Sequence, residues 1–404
     1  MNSGLRVDPV LSSLERRANE LGAYLYVLLR LLELECAWLI QVTNLSVKAK
    51  FAGDIGAYAT VIQRLQRRRW ELVSDEHLPS AHHEVELSIA SIASRSDISD
   101  IVSSVLNVQR CLVDALRADL SSLEFYDEPS RGVIGDAINI LHERWTIWAA
   151  EHQQDSEQFS LESLHSRNGT VRYSDQLATP RLPRMPGRPA SFRFSDDPIL
   201  RHKGELDLVT DDDCMRRFLH FIALDIEVCA AEVCAQNVVE HRQMPIDFRI
   251  DMARQISDEM RHFELIAGIL EYFEGYVGQY PYSATVFFRS ALGRSLEERL
   301  AIQQIIQEGN AIESNIQIAT LLQKVGYDTF AAAFEFINAD EVNHVSFGNK
   351  WLQELCGTNS SVYMGIIRAA SERVGAFPGS RGIAEKVRRH AGFPDEFFLE
   401  YLKE

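Results

Sequence analysis

Two stretches of the chain carry the residue types of metal chemistry at matching spacing, Asp258-Glu259-Met260-Arg261-His262 and Asp340-Glu341-Val342-Asn343-His344. On a helix, residues three apart share a face, so Glu259 with His262, and Glu341 with His344, can each offer a carboxylate oxygen and an imidazole nitrogen to one ion. A glutamate stands one helical hairpin upstream of each copy. Glu227 and Glu259 are 32 residues apart about the Gln243-Met244-Pro245 turn, and Glu308 and Glu341 are 33 apart about Gly326. Residues equidistant from a hairpin turn lie at the same height, so four helices would aim six ligands at one level. Four glutamates at one level of an apolar bundle need cations, because buried acids are costly unless paired or metal-bound. Hard oxygens with only two imidazoles favour iron or manganese over zinc or copper.

A third Glu-x-x-His, Glu162-Ser163-Leu164-His165, acts as a control. It lacks the preceding aspartate, the helical context and the upstream glutamate. Asp258 and Asp340 are placed to hold the ligand histidine of the opposite motif from behind, fixing its tautomer. Glu232 and Glu313 stand five residues beyond Glu227 and Glu308, about 140° around the helix. They read as outer or surface acids, with Glu232 the reserve ligand for Glu227 and Glu313 its counterpart.

Helices must position these groups. Acidic Asp211-Asp212-Asp213 suits a helix N-terminus, and helical periodicity then supports helices over about 212–240, 247–276, 296–325 and 328–355. Pro245 suits the start of the second, and Gly326 the C-cap of the third. Residues 1–152 also show helical spacing, and alternating strand-like runs are nearly absent, so the chain is expected to be all-α. Residues 153–210, with Ser156, Ser160, Ser163 and Ser166 leading into the Thr179 to Pro189 run, read as a linker or polybasic strap on an acidic body. The division expected is 1–152, a helical domain without metal ligands; 153–210, the strap; and 211–404, the metal domain with a C-terminal extension. A weak repeat aligns Glu35 with Glu227, Gln66 with Glu259 and Arg69 with His262. In that register the first half is a duplicated bundle that has lost its ligands.

The 404 residues carry a formal charge of −17, which disfavours nucleic acid and anionic membrane as partners. Six scattered cysteines without a CxxC pair suggest neither a disulfide framework nor a zinc knuckle. The start lacks the pattern of a signal peptide, and Arg30, Glu33 and Glu35 interrupt the apolar stretch at 21–42, so a cytoplasmic protein is expected. No phosphate loop, dinucleotide fingerprint or Ser-His-Asp order stands out.

Through Glu227, Asp258-Glu259-x-x-His262, Glu308 and Asp340-Glu341-x-x-His344, the sequence resembles the ferritin-like di-metal carboxylate superfamily. From about residue 180 onward it also resembles an uncharacterised bacterial family of unknown function. Those features include Ile226-Glu227-Val228-x-Ala230-x-Glu232, Met244-Pro245, Gly348, Trp351 and Ala391-Gly392-Phe393. The resemblance implies a ferritin-like four-helix bundle in the C-terminal half. There Glu227, Glu259 and His262 would serve one metal and Glu308, Glu341 and His344 the other, with Glu259 and Glu341 bridging. It further implies two iron ions, or manganese in one or both positions, and an O2-dependent oxidase or oxygenase acting on a small organic metabolite by hydroxylation, N-oxygenation or desaturation. Dioxygen and an electron donor would be its partners, and a homodimer is compatible with the pattern. Two other classes fit the same residues: a metal-handling protein without organic substrate, oxidising ferrous iron or scavenging peroxide, and an interaction protein whose second bundle is stapled by metal.

Overall fold

A computed structural model describes residues 12–74, 79–151, 161, 164, 170–173, 180–195, 211–357 and 359–402. The described residues are overwhelmingly helical, as the periodicity indicates. Among them no helix is long and apolar enough to cross a membrane. Most of 153–210 lies outside the described residues, including Ser156, Ser160, Ser163, Ser166 and the Glu162, Ser163 and His165 of the control motif.

The chain forms two compact units, 1–37 with 53–181 and 38–52 with 182–404. The expected boundary at residue 152 thus shifts, and the bend between the first two helices groups with the second unit. Lys48 explains why. Its fully buried ammonium meets Glu232 at 2.7 Å, and Arg188 of the strap meets both oxygens of the same carboxylate. Beside them the Gly187 amide donates to Ile40 O at 2.8 Å. A Cβ on Gly187 would lie 2.2 Å from Gln41 O, so only glycine permits this approach. The arginine-rich segment therefore contributes a buried guanidinium to the core of unit 2.

Unit 1 is built on α1 (Ser13–Gln41), α2 (Leu45–Val73), α3 (His83–Ala93), α4 (Ile98–Ser122) and α5 (Glu128–Ala149). The last turn of α1 and the first residues of α2 belong to unit 2. A two-stranded antiparallel ribbon, β1 (Ser80–His82) with β2 (Thr170–Arg172), is a small addition that the sequence pattern does not suggest. The repeat register does not carry over into space. Arg69 packs against Gly22, while Tyr58 is the residue that meets Glu35, donating at 2.7 Å. The α1–α2 turn is close to Glu35, so Asp54 and Tyr58 stand at its height and Gln66 and Arg69 lie several turns beyond.

Unit 2 holds two long runs interrupted by π-helix. The first is α6 (Asp212–Phe221), π1 (Ile222–Glu227) and α7 (Val228–Glu240). The other is α10 (Leu296–Leu300), π2 (Ala301–Gln307) and α11 (Glu308–Lys324), with α9 (Thr285–Ser290) in the preceding connection. The remaining long helices are α8 (Ile246–Tyr272) and α12 (Asp328–Leu355). Asp211 caps α6 by accepting from the amides of Asp213 and Cys214. Pro245 stands at the start of α8, and Gly326 turns the chain between α11 and α12 at φ +86. Tight turns make α7–α8 and α11–α12 hairpins, and α8 packs on α12 between them.

Helices α13 (Ser360–Val374), α14 (Glu385–His390) and α15 (Asp395–Tyr401) close one side. Ile367, Phe393 and Phe397 pack there with Ile302, Ile305 and Val345, each buried aliphatic or aromatic group contributing roughly 1.5–3 kcal/mol. This fixes π2, and hence Glu308, from behind. A Cβ on Gly348 would lie 2.2 Å from Gln304 Cβ, so the glycine lets α12 and π2 approach.

Candidate metal centre

Six side chains from the four runs converge in the core of unit 2. Glu227 ends π1, Glu308 follows π2, Glu259 and His262 come from α8, and Glu341 and His344 from α12. Each is at most 4% exposed. They form two overlapping quartets, Glu227, Glu259, His262 and Glu341, and Glu259, Glu308, Glu341 and His344, with one ligand atom per residue lying within 4.8 Å of the others. The quartets share Glu259 and Glu341, the pair that the resemblance assigns to bridging. His262 Nδ1 lies 3.4 Å from Glu259 Oε2 and 3.6 Å from Glu341 Oε1, while His344 Nδ1 lies 3.2 Å from Glu259 Oε1 and 3.3 Å from Glu341 Oε2. Each shared carboxylate thus turns one oxygen to each imidazole.

The π-helical turns are what aim the two upstream glutamates. A π-turn adds a residue to the helical repeat and rotates everything after it, a device found at functional sites. Here π1 terminates at Glu227, and π2 terminates at the residue before Glu308.

Behind the histidines the crossed arrangement anticipated for the aspartates is present. His262 Nε2 is 3.2 Å from Asp340 Oδ2, and His344 Nε2 is 3.4 Å from Asp258 Oδ2. These contacts leave both Nδ1 atoms facing the cluster. Arg261, which the spacing argument passed over, donates to both aspartates at 2.8 Å. Asp340 is held down to about 2: burial alone would raise it, but His262 and Arg261 outweigh that.

Buried amides on the opposite side also escaped the sequence reading. Gln255 Nε2 donates to Glu259 Oε1 at 2.9 Å and Glu308 Oε1 at 3.1 Å, and Gln304 Nε2 donates to Gln255 Oε1 at 3.2 Å. Gln303 is a further donor to Glu308. The available signal was Gln255 and Gln304, each four residues before a ligand glutamate, as polar intruders on an apolar stripe.

The reserve acids point elsewhere. Glu232 is taken by Lys48 and Arg188, and Glu313 by Arg388, whose Nη2 and Nε reach it at 2.8 and 2.9 Å. Glu232 and Glu313 are therefore not brought into the cluster, in keeping with the five-residue rotation. Cys229 is fully buried beside Arg188, and Trp351 donates to Asp251 from the core.

The electrostatics are those of buried carboxylates gathered about two imidazoles. Burial pushes the Glu227 carboxyl up to about 8, and burial with repulsion from Glu341 and Glu259 pushes Glu308 well above the usual range. Burial works in the same direction on Glu259, but the imidazoles of His344 and His262 overcome it and hold that carboxyl low. Burial opposes charging of His262 and His344, yet the surrounding carboxylates raise both well above an ordinary imidazole. Protons retained on Glu227, Glu308 and the two imidazoles offset the clustered negative charge. Glu227 Oε2, Glu259 Oε2 and His262 Nδ1 are buried without a hydrogen-bond partner. His262 Nδ1 stands 3.5 Å from Glu227 Oε2 and 3.4 Å from Glu259 Oε2, so the three atoms face one space, and oxygen with imidazole nitrogen is a donor set that could hold a metal ion.

No curated protein and no solved structure matches the chain. One family does: the family described as "Protein of unknown function (DUF455)" matches residues 145–399, which span all six converging side chains. With well over half its length matched, the chain belongs to the DUF455 family.

Proposed function

We propose that unit 2 is a ferritin-like four-helix bundle holding a dinuclear iron centre, or one with manganese in either position, and that the protein is an O2-dependent oxidase or oxygenase of a small organic metabolite. The observation that carries the metal reading is a contrast among buried acids. Asp225 accepts from three donors of Ser283 and Ala284, Glu232 has Lys48 and Arg188, Asp251 has Lys350, and Glu313 has Arg388. Glu227, Glu259, Glu308 and Glu341 have no lysine or arginine contact among the described residues, only two histidines and amide donors.

Glu227, Glu259, His262 and Glu341 would hold one ion, and Glu259, Glu308, Glu341 and His344 the other. When bound as ferrous ions, the pair supplies two of the four electrons that reduce dioxygen to water, the rest coming from the organic substrate or an external donor. The protein's share is positional. Asp340 and Asp258 hold the imidazoles, Gln255 and Gln303 hold Glu308 by one oxygen, and the surrounding aliphatic side chains keep bulk water out.

One observation favours a second reading. All six residues are nearly inaccessible, as suits a metal-handling protein that oxidises ferrous iron without an organic substrate. Anaerobic loading with ferrous iron followed by oxygen separates the two. An enzyme centre consumes oxygen in proportion to the iron bound and then stops until substrate and reductant are supplied. Sustained oxidation of excess ferrous iron supports the second reading, and an optical change that survives His344→Ala would overturn both.

A further inference from the structure

The walls around the six converging side chains differ. At the end toward the C-terminus of α8 stand Ala223, Ile266 and Ile337, each four residues from one of the six and at most 1% exposed. At the opposite end Gln255 and Gln304 are fully buried, and the Gln304 amide packs against the equally buried Cys234 and Met252. Behind π2, Ile302 and Ile305 pack with the α13–α15 cluster. A hydrated divalent ion crossing these walls would give up its water for apolar contacts, at a large cost.

The outer face of the α8–α12 pair is built of other groups. Two layers separate the cluster from solvent there among the described residues, and both consist of side chains that bind cations. The inner layer is the imidazoles of His262 and His344, with ring centroids 5.9 Å apart. The outer layer is Asp340 and Asp258, which reach those rings at 3.2 and 3.4 Å and whose side chains are 25% and 29% exposed. Carboxylate followed by imidazole offers an ion a replacement for each water it sheds.

Arg261 closes this face. Its Nη2 lies 2.8 Å from Asp258 Oδ1 and 2.8 Å from Asp340 Oδ2, so one cationic atom ties together carboxylates from two helices. An entering cation would meet both carboxylates at that same point. The Arg261 side chain is 46% exposed, and ion pairs of that kind are weak, so the guanidinium can exchange the aspartates for water.

We propose that Arg261 is a latch on the route of the metal ion: it occupies the outer carboxylate pair, must swing away for an ion to pass between Asp258 and Asp340, and so governs the rates of loading and release. The inference rests on the dinuclear-metal reading of unit 2 and adds a route and its closure; it is independent of the oxygen chemistry. A latch and a fixed positive charge act differently on release. A fixed charge repels an entering ion and loosens a bound one, so its removal speeds loading and slows release, an effect that salt screens. A latch blocks both directions, so its removal speeds both, in high salt as well.

The test uses the full chain without oxygen: stopped-flow loading with ferrous iron, then release of the bound iron into excess ferrozine, for the wild type and Arg261→Gln. In high salt both rates are expected to rise in the variant by on the order of tenfold, the factor to which the loss of two surface ion pairs corresponds. Bound iron per chain and the circular dichroism spectrum are expected to match the wild type, and Arg261→Lys to fall between the two. Unchanged rates with iron still bound overturn the latch and leave the metal centre standing. Faster loading with slower release also overturns it, making Arg261 an electrostatic barrier, as does faster release with less iron bound, which makes Arg261 a support for the histidines. A wild-type chain that binds no ferrous iron removes the metal reading and the latch with it.

Discussion

Each unit buries clustered acids, and the two answer them in different ways. In unit 1, Arg30 reaches Glu33 at 2.7 Å and Glu86 at 3.1 Å, while Asp54 receives Arg144 at 2.6 Å, Trp148 Nε1 at 2.7 Å and Gln109 Nε2 at 2.8 Å. Glu35, without a guanidinium in contact, is pushed well up by burial and by neighbouring Asp54 and takes a hydrogen bond from Tyr58. Glu33, Glu86 and Asp54 are neutralised there by covalently attached cations, and Glu35 by its raised affinity for a proton. In unit 2 the acids at the bundle level face protonatable imidazoles and unpartnered atoms instead. A fixed guanidinium makes a carboxylate structural; what sets the four glutamates of unit 2 apart is that they lack one and cluster about two imidazoles, whereas Glu35 and Asp225 are met singly by hydroxyl or amide donors.

The sharpest way to break this contrast is to remove one acid or cation of each kind. Glu259→Ala is expected to abolish iron uptake, and because it takes from His262 and His344 a carboxylate that holds their protons it is also expected to lower the stability of the metal-free chain, by less than the loss of a fixed cation does. Arg388→Ala leaves Glu313 buried without its cation and is expected to destabilise the fold by about 3–5 kcal/mol in urea titrations. Iron stoichiometry should be unchanged in the fraction that folds. Arg144→Met in unit 1 should behave like Arg388→Ala. If Arg388→Ala lost iron while keeping its stability, structural and metal acids would not be separable.

A buried group with no charged partner gives the next largest effect. His220 accepts the Gly278 N–H through Nε2 at 3.0 Å, so it must stay unprotonated there, and burial lowers it from 6.5 to about 4. Between those values the unfolded chain binds a proton that the folded chain does not. Stability is therefore expected to fall as pH drops from about 6.5 toward 4, by up to roughly 3 kcal/mol from this residue. Urea midpoints of the wild type against His220→Asn should converge as the pH falls through that window; parallel curves would refute the assignment. The smallest effect belongs to the outer carboxylates. Asp340→Asn removes the charge behind His262 and should weaken iron binding about 10- to 100-fold without preventing it.

Much of this was legible in the sequence because helices carry their own rulers. Spacing of three within each motif, and equal distance from Met244-Pro245 and Gly326, place six side chains at one level without knowledge of their packing. The fourth helix was expected over 328–355 and runs Asp328–Leu355. The second ends at Tyr272, short of the expected 276, where Glu274 takes a positive φ. The π-turns were not legible: residues 222–227 and 301–307 have ordinary helical composition, and the extra residue is a response to packing. The weak repeat misled because similarity of Arg68-Arg69-Trp70 to Arg261-His262-Phe263 ignores distance from the turn, which places Tyr58 opposite Glu35. Partners distant in sequence, such as Arg188 and Lys48 on Glu232, or Arg388 on Glu313, carry no local signal at all.

The proposed dinuclear centre rests on carboxylates that have no fixed cation. Anaerobic titration of the full chain with ferrous iron, read by bound metal per chain and by Mössbauer spectroscopy after oxidation, tests it most directly. Two irons per chain are expected, coupled through shared carboxylates, with both lost in Glu259→Ala. Uptake of one iron or none, or two uncoupled irons that survive Glu259→Ala, would contradict it.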